Sequence, residues 1–251
     1  MTDITVVMAT YRQPNWLVQS MLSVVPQIRY PGELRIIGEL SDDETTPILE
    51  DWFNLLFPLT PGRMIYGYER GRDFWKARQR GLNDTKTEYV LFFDSDDVML
   101  PGWLEKGLSV AEEIKSRGKI PIVGSSFRMV DEKLRPMQDV ILPEFSMDMM
   151  MDGCIIPDAS ITTTEAMKSV GGLFDPDGYD PHHPYYCYSL WLRILKKYGD
   201  KVEVKLLPEI AWLYRQHRGS MHNRFKSSKR ASRRNVEMVK KVAKHYFPKE
   251  E

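Results

Sequence analysis

Three carboxylates stand together in Asp94-Ser95-Asp96-Asp97, directly after the apolar run Tyr89-Val90-Leu91-Phe92-Phe93. Carboxylates this close repel one another and lose hydration, so a positive charge belongs among them. Hard oxygen donors of this kind suit Mg²⁺ or Mn²⁺, ions that commonly serve diphosphate-bearing substrates. A plainer reading is an acidic turn in which Asp96 or Asp97 caps the next helix by accepting backbone N–H bonds. The five apolar residues ahead of the cluster, aromatic and branched, read as a strand buried on both faces. In an open α/β sheet the carboxyl ends of such strands are where ligands bind.

The elements that must position this cluster alternate along the chain. Residues 4–9 form a β-branched run that predicts a first buried strand. Trp16, Leu17, Met21, Leu22, Val24 and Val25 then recur at helical spacing, with Asn15 as the expected N-cap. Residues 34–38 read as a second strand and 39–44 as an acidic loop. A helix through Ile48, Leu49, Trp52, Phe53 and Leu56 follows, capped by Asp43 or Thr45. Residues 63–68 are expected as a third strand and 73–83 as a helix, ahead of the strand that ends in the carboxylates. This order predicts a parallel sheet wound with crossover helices, and residues 1–107 as one nucleotide-binding half. Beyond Gly107 the alternation decays. Residues 120–130 predict one or two further strands, 147–153 a methionine-rich loop or short helix, 188–198 a helix and 202–207 an edge strand. Residues 224–245 carry nine Lys and Arg against one Glu, with Val236, Val239, Val242 or Ala243, and Tyr246 on one face: a basic amphipathic helix.

Composition narrows the partners. The 251 residues suffice for a full core, and 42% hydrophobic with 28% charged residues is ordinary for a globular chain. Lys and Arg balance Asp and Glu at 35 each, so no nucleic-acid partner is expected. Cys154 and Cys187 lack metal-ligand spacing and read as reduced thiols of a cytoplasmic protein. No apolar run approaches the roughly 18 residues of a membrane span.

Several short pieces fall in the order of a known family. They are Ala9-Thr10-Tyr11, Ser23 with Gln27, Ser41-Asp42-Asp43-Glu44-Thr45, Ala77-Arg78-Gln79-Arg80-Gly81, and Asp94-Ser95-Asp96-Asp97 followed by Leu100-Pro101. Gly171-Gly172-Leu173-Phe174-Asp175, Leu190-Trp191-Leu192-Arg193 and Tyr214-Arg215-Gln216-His217 complete the series. The chain thereby resembles the nucleotide-diphospho-sugar glycosyltransferases of the GT-A fold, most closely glycosyltransferase family 2, over residues 4–222. The resemblance implies an α/β fold, a Rossmann-like mixed sheet flanked by helices. It implies a catalytic domain over 1–222, with 1–107 holding the nucleotide and 108–222 the acceptor, and a basic helix and tail over 223–251. It implies metal-dependent transfer of a sugar from a UDP-, GDP- or dTDP-sugar to an acceptor hydroxyl, with inversion.

Site roles follow from the same likeness and from the chemistry of the donor. Thr10, Tyr11 and Arg12 would lie beside base or ribose, with Tyr11 stacking or merely lining the rim. Glu39 stands where relatives place an Asp for the nucleobase, and Gly38 and Leu40 also depart from their Asp-Asp-Gly pattern. Arg78 would reach toward ribose or diphosphate, or else stay solvated beside Arg72, Lys76 and Arg80. Asp94 and Ser95 would contact the donor and Asp96 would ligate Mn²⁺ or Mg²⁺, with Asp94 and His217 as further metal contacts; Asp97 would cap the loop. Arg215 and Arg218 are alternative phosphate contacts. The general base is the point of departure: where inverting relatives carry Glu-Asp, this chain has Tyr186-Cys187, neither a credible base near neutral pH. Asp180 and His183 on the Pro-rich loop, then Asp158, are the substitutes. Without a base the chain would transfer with retention, or be an inactive sugar- or nucleotide-binding module. A nucleotidyltransferase is the rival enzyme, but residues 10–14 lack its Gly-rich loop. The acceptor is a glycan, a lipid-linked molecule or a protein, and residues 224–247 are a candidate contact to an anionic membrane surface.

Overall fold

The computed structural model describes residues 3–29, 31–39, 44–69, 74–175, 186–217 and 229–248. The first part of the chain runs β1 (Ile4–Thr10), α1 (Leu17–Val24), β2 (Glu33–Glu39), α2 (Thr45–Leu56), β3 (Arg63–Glu69), α3 (Phe74–Asp84) and β4 (Tyr89–Phe92). It continues through β5 (Val98–Met99), α4 (Trp103–Ser116), β6 (Ile120–Val130), β7 (Pro136–Val140), α5 (Met147–Asp152) and β8 (Ile161–Thr163). α6 (Thr164–Ser169), α7 (Tyr186–Tyr198), β9 (Val202–Arg215) and α8 (Lys229–Tyr246) close it.

All nine strands join one sheet in the order β3-β2-β1-β4-β8-β6-β9-β5, with β7 also on β6. β3, β2, β1 and β4 are mutually parallel, as the alternation predicts. β4 and β6 each pair antiparallel with the short β8, β9 runs parallel to β6, and β5 pairs antiparallel with β9. Strand order reverses between β1 and β4, which places a topological switch point at their carboxyl ends. The sheet is continuous across residue 107, which lies inside α4.

Burial explains the parallel strands' near-uninterrupted apolar character. Along β1 and β4, Ile4, Val6, Met8, Tyr89, Leu91 and Phe93 face a core shared with α1, α2 and α4. Val7, Val90 and Phe92 face the opposite core, built with α3, α5, α7 and α8. Both faces are covered, so neither period-two face can be polar. The apolar stripe of α8 docks as expected: Val242, Ala243 and Tyr246 are buried beside α5 and α7. No helix of the described residues is long and apolar enough to cross a membrane.

Three local expectations change, and the choice between one and two strands over residues 120–130 is settled. α1 starts after Trp16 with no side-chain cap, so Asn15 does not cap it. Thr45 is the first residue of α2; its hydroxyl accepts from the Gln13 backbone N–H at 2.8 Å, pinning the turn after β1. Residues 120–130 form a single strand. Residues 202–207 are only the first half of β9, whose second half is interior between β6 and β5.

Candidate active site

The carboxylate loop sits at the switch point because β4 ends there, and α1 holds it in place. Ser20 Oγ donates to the Asp94 carbonyl at 3.0 Å, and Ser23 Oγ accepts from Met99 N at 3.0 Å. Gln27 Nε2 donates to the Leu100 carbonyl at 3.1 Å. Ser20 and Ser23 lie on one face of α1, and Gln27 on the 3-10 turn Val25–Gln27 that follows it, so together they present a ladder of polar groups to a loop that has no ladder of its own.

Asp94, Asp96 and Asp97 converge: one oxygen of each lies within 4.8 Å of the others. Asp97 does not cap a helix; Gly102 holds that position of α4, and Asp97 Oδ1 accepts from the Arg215 backbone N–H at 2.9 Å. Burial, with Asp96 and Asp94 close by, holds the Asp97 carboxyl well above the usual carboxylate range. Burial likewise raises Asp94 to about 6; Arg78 opposes the shift, while Asp96 and Asp158 add to it. Asp96 Oδ2 lies 2.8 Å from His217 Nε2, and the His217 ring lies tilted against Trp16 with centroids 4.3 Å apart. Three clustered carboxylates with an imidazole nitrogen beside them form a donor set that fits Mn²⁺ or Mg²⁺.

Arg78 is the positive charge the carboxylates require. It lies on α3, is 1% exposed, and lies 5.5 Å from the Phe92 ring centre and 5.6 Å from that of Tyr186. Its Nη2 pairs with Asp94, while Nη1 reaches Tyr186 OH at 2.7 Å and Asp158 Oδ2 at 3.2 Å. Tyr186 OH also donates to Asp158 Oδ2, at 3.1 Å. Burial draws the guanidinium pKa down, but Asp94, Tyr186 and Asp158 outweigh it and the charge is held. Burial also lifts the Tyr186 and Cys187 pKa values well above normal, in keeping with neither serving as a base.

Arg215 is 2% exposed, and its donors go to the protein: Nε to the Asp96 carbonyl at 2.7 Å, Nη1 to the Glu132 carbonyl at 2.9 Å and Nη2 to Gln19 Oε1 at 2.5 Å. At the end of β1, Thr10 is 2% exposed and its hydroxyl has no hydrogen-bond partner among the described residues. Tyr11 is half-buried, and Arg12 adopts φ +51°, a strained conformation for a non-glycine residue that marks functional turns. Ser95 is buried, and Glu39 ends β2 at the same edge of the sheet. Asp180, His183 and Arg218 lie outside the described residues.

The remaining short pieces are glue. Gln79 Oε1 accepts from Leu173 N at 2.6 Å and Phe174 N at 3.3 Å, joining α3 to the Gly171-Gly172 turn. Arg193, buried on α7, donates to the carbonyls of Val170, Gly172 and Phe174 of that turn. Sequence reasoning gave Trp16 only a place in the apolar spacing of the first helix and passed over Gln19 and Ser20; the signal for Ser20 was its place three residues before Ser23 on the loop-facing side of α1.

Comparison with known proteins agrees with this arrangement. Residues 5–164 match Glycosyl transferase family 2, and the chain belongs to that family. It is 24% identical over 169 residues to an uncharacterized glycosyltransferase of Rickettsia bellii (strain RML369-C), covering 67% of this chain and 22% of that protein. It is 27% identical over 103 residues to glycosyltransferase GlyA of Streptococcus pneumoniae serotype 4 (41% and 13%). The chain thus spans about a quarter or less of the length of these relatives. Among solved structures, S. aureus TarS 1–349 in complex with UDP-GlcNAc superposes with TM-score 0.69 at 14% identity, over 98% of this chain and 66% of that one. The same protein with UDP gives 0.64 at 17% identity, over 96% and 65%. These likenesses show the fold, the GT-A type Rossmann-like mixed sheet flanked by helices.

Proposed function

We propose that this chain transfers a sugar from a nucleoside-diphosphate sugar to an acceptor hydroxyl, with Asp94 and Asp96 holding a divalent cation. The observation that carries the reading is the convergence of Asp94, Asp96 and Asp97 at the switch point beside buried Arg78. Bound Mn²⁺ or Mg²⁺ would supply positive charge to the departing diphosphate. Thr10, Tyr11, Arg12, Glu39 and Ser95 line the edge where base and ribose would rest, and the buried Thr10 hydroxyl, without a hydrogen-bond partner among the described residues, suits a ribose contact. The superposed TarS structures hold UDP or UDP-GlcNAc, which supports a uridine donor as the first to test.

We assign Asp158 as the general base. Its carboxylate shares Arg78 with Asp94, which places it at the acidic cluster. Tyr186 donates to the same oxygen as Arg78, which fixes the carboxylate's orientation. The acceptor hydroxyl would lose its proton to Asp158 as its oxygen attacks the anomeric carbon and the nucleoside diphosphate departs on the opposite face, giving inversion. Arg215 acts by bracing the loop, and His217 by holding Asp96.

Incubation with UDP-, GDP- and dTDP-sugars, Mn²⁺ and a panel of acceptor sugars tests the proposal by release of nucleoside diphosphate. No release from any donor, with nucleotide still bound, would leave the second reading, a non-catalytic nucleotide-sugar module, which Tyr186-Cys187 in place of Glu-Asp favours. A contact of residues 224–247 with an anionic membrane would act through charge, since Val242, Ala243 and Tyr246 are buried. Flotation with anionic vesicles that survives high salt would count against that contact.

A further inference from the structure

The loop before β4, the end of α4 and the whole of α6 enclose an open cleft of about 920 Å³. β4 runs from this cleft to the acidic loop, so the two lie roughly 20 Å apart along six strand residues. They share no residue. Lys86, Lys115, Lys119 and Lys168 line the cleft against Glu88 and Glu165, which leaves two positive charges in excess. Lys115 pairs with Glu88. The other three lysines have no carboxylate partner among the described residues. Lys168 Nζ donates to the carbonyls of Asn83 at 3.0 Å and Thr85 at 2.6 Å, and Lys119 Nζ to that of Asp200. Lys86 is exposed. A carbonyl holds an ammonium in place but leaves its charge uncancelled. Burial draws the Lys168 pKa below its ordinary value; Asp84 opposes that shift and Arg35 adds to it.

Two hydroxyls in the same lining are also incomplete among the described residues. Thr164 is 7% exposed and its hydroxyl has no hydrogen-bond partner. Thr163 Oγ1 accepts from Ala166 N at 3.3 Å, and its own proton has no acceptor. A buried polar group left unpaired costs stability unless a bound molecule completes it. Ammonium groups with hydroxyl donors beside them suit phosphate, whereas a carboxylate is best met by the fork of an arginine, and no arginine lines the cleft. A phosphomonoester carries about 1.5–2 negative charges near neutral pH, which matches the excess. The volume also lies within the range of about 300–1,000 Å³ typical of small-molecule sites, so it holds more than a bare ion. We propose that this cleft binds a small phosphorylated molecule, its phosphate among the lysines and its polar body toward Ser169 and Tyr198.

Titration calorimetry on the full chain tests this without reference to activity, at low salt and in chelator so that no cation serves the acidic loop. The probes are glucose 6-phosphate, ribose 5-phosphate and glycerol 3-phosphate, compared with inorganic phosphate and glucose. At least one ester should bind once per chain and more tightly than inorganic phosphate, and glucose should give no heat. Lys86→Glu should weaken that ester about tenfold. Lys133→Glu, the same charge change on the turn between β6 and β7, should weaken it no more than about twofold. Both lysines are exposed, so both variants should melt with the wild type. Thr164→Val keeps the side chain's shape and should weaken the ester about threefold or more while the melting temperature holds. The proposal is overturned if no ester binds, or if none binds better than inorganic phosphate. Equal losses in Lys86→Glu and Lys133→Glu overturn it as well.

Discussion

Arg78 is the residue on which the acidic site depends. A guanidinium at 1% exposure is tolerable only because Asp94, Asp158 and Tyr186 surround it, and removing one partner of such a cluster costs about 3–5 kcal/mol. Asp158→Asn keeps an oxygen that accepts from Arg78 and Tyr186, so the fold should survive. If Asp158 is the base, kcat should fall by about 10²–10⁴ with the donor KM changed little, measured by steady-state release of nucleoside diphosphate. Under the proposed metal role, Mn²⁺ plus nucleotide should raise the melting temperature of the wild type, and Asp96→Ala should abolish that rise. Asp94 supplies a pH prediction. Its folded pKa of about 6 lies above the unfolded value of 3.8, so the folded state binds the proton more tightly between those limits. As pH rises through that window, metal-free wild type should lose stability relative to Asp94→Asn, and cation binding should strengthen. Urea melts in chelator across pH 4–7 would show the opposite trend if Asp94 were simply ion-paired and its pKa depressed.

At the scale of elements, the buried strands and the residues they deliver were legible in the sequence. β1 and β4 announced themselves because both faces are covered and, apart from Thr5 and Thr10, every position is apolar. β9 reads as a short edge because residues 202–207 alternate polar and apolar; its second half, past Pro208, runs on beside β6. β8 has three residues and carries no periodicity of its own. The acidic cluster was legible as a local string, whereas the Arg78–Asp158–Tyr186 group was not. Its members lie 80 and 28 residues apart, and only the packing of α3 and α7 on the sheet brings them together. Gly81 shows what that packing demands: a Cβ there would clash with Val7 Cγ1, a side chain with no exposure. Gly81→Ala gains roughly 1 kcal/mol of helix propensity but overpacks a rigid neighbour for about 1–3 kcal/mol. The expected net is a loss of stability in urea denaturation, and a gain would show that α3 can move off β1.

Across the whole molecule, α8 decides whether the chain's last segment belongs to the fold or merely follows it. Val242, Ala243 and Tyr246 are buried in the core beneath α7, and Tyr246 OH donates to Asp175, itself 5% exposed. Through Asp175, α8 also holds the chain just after the Gly171-Gly172 turn. Tyr246→Phe removes the hydroxyl alone and should cost about 1 kcal/mol. Tyr246→Ala empties an aromatic-sized space and should cost about 3 kcal/mol or more, set against a typical net stability of about 5–15 kcal/mol. For a domain of this size that corresponds to a fall in Tm of roughly 6–12 °C by calorimetry. If both variants melted with the wild type, α8 would be an appendage free to leave the core for another surface, and the membrane reading of residues 224–247 would regain its apolar face.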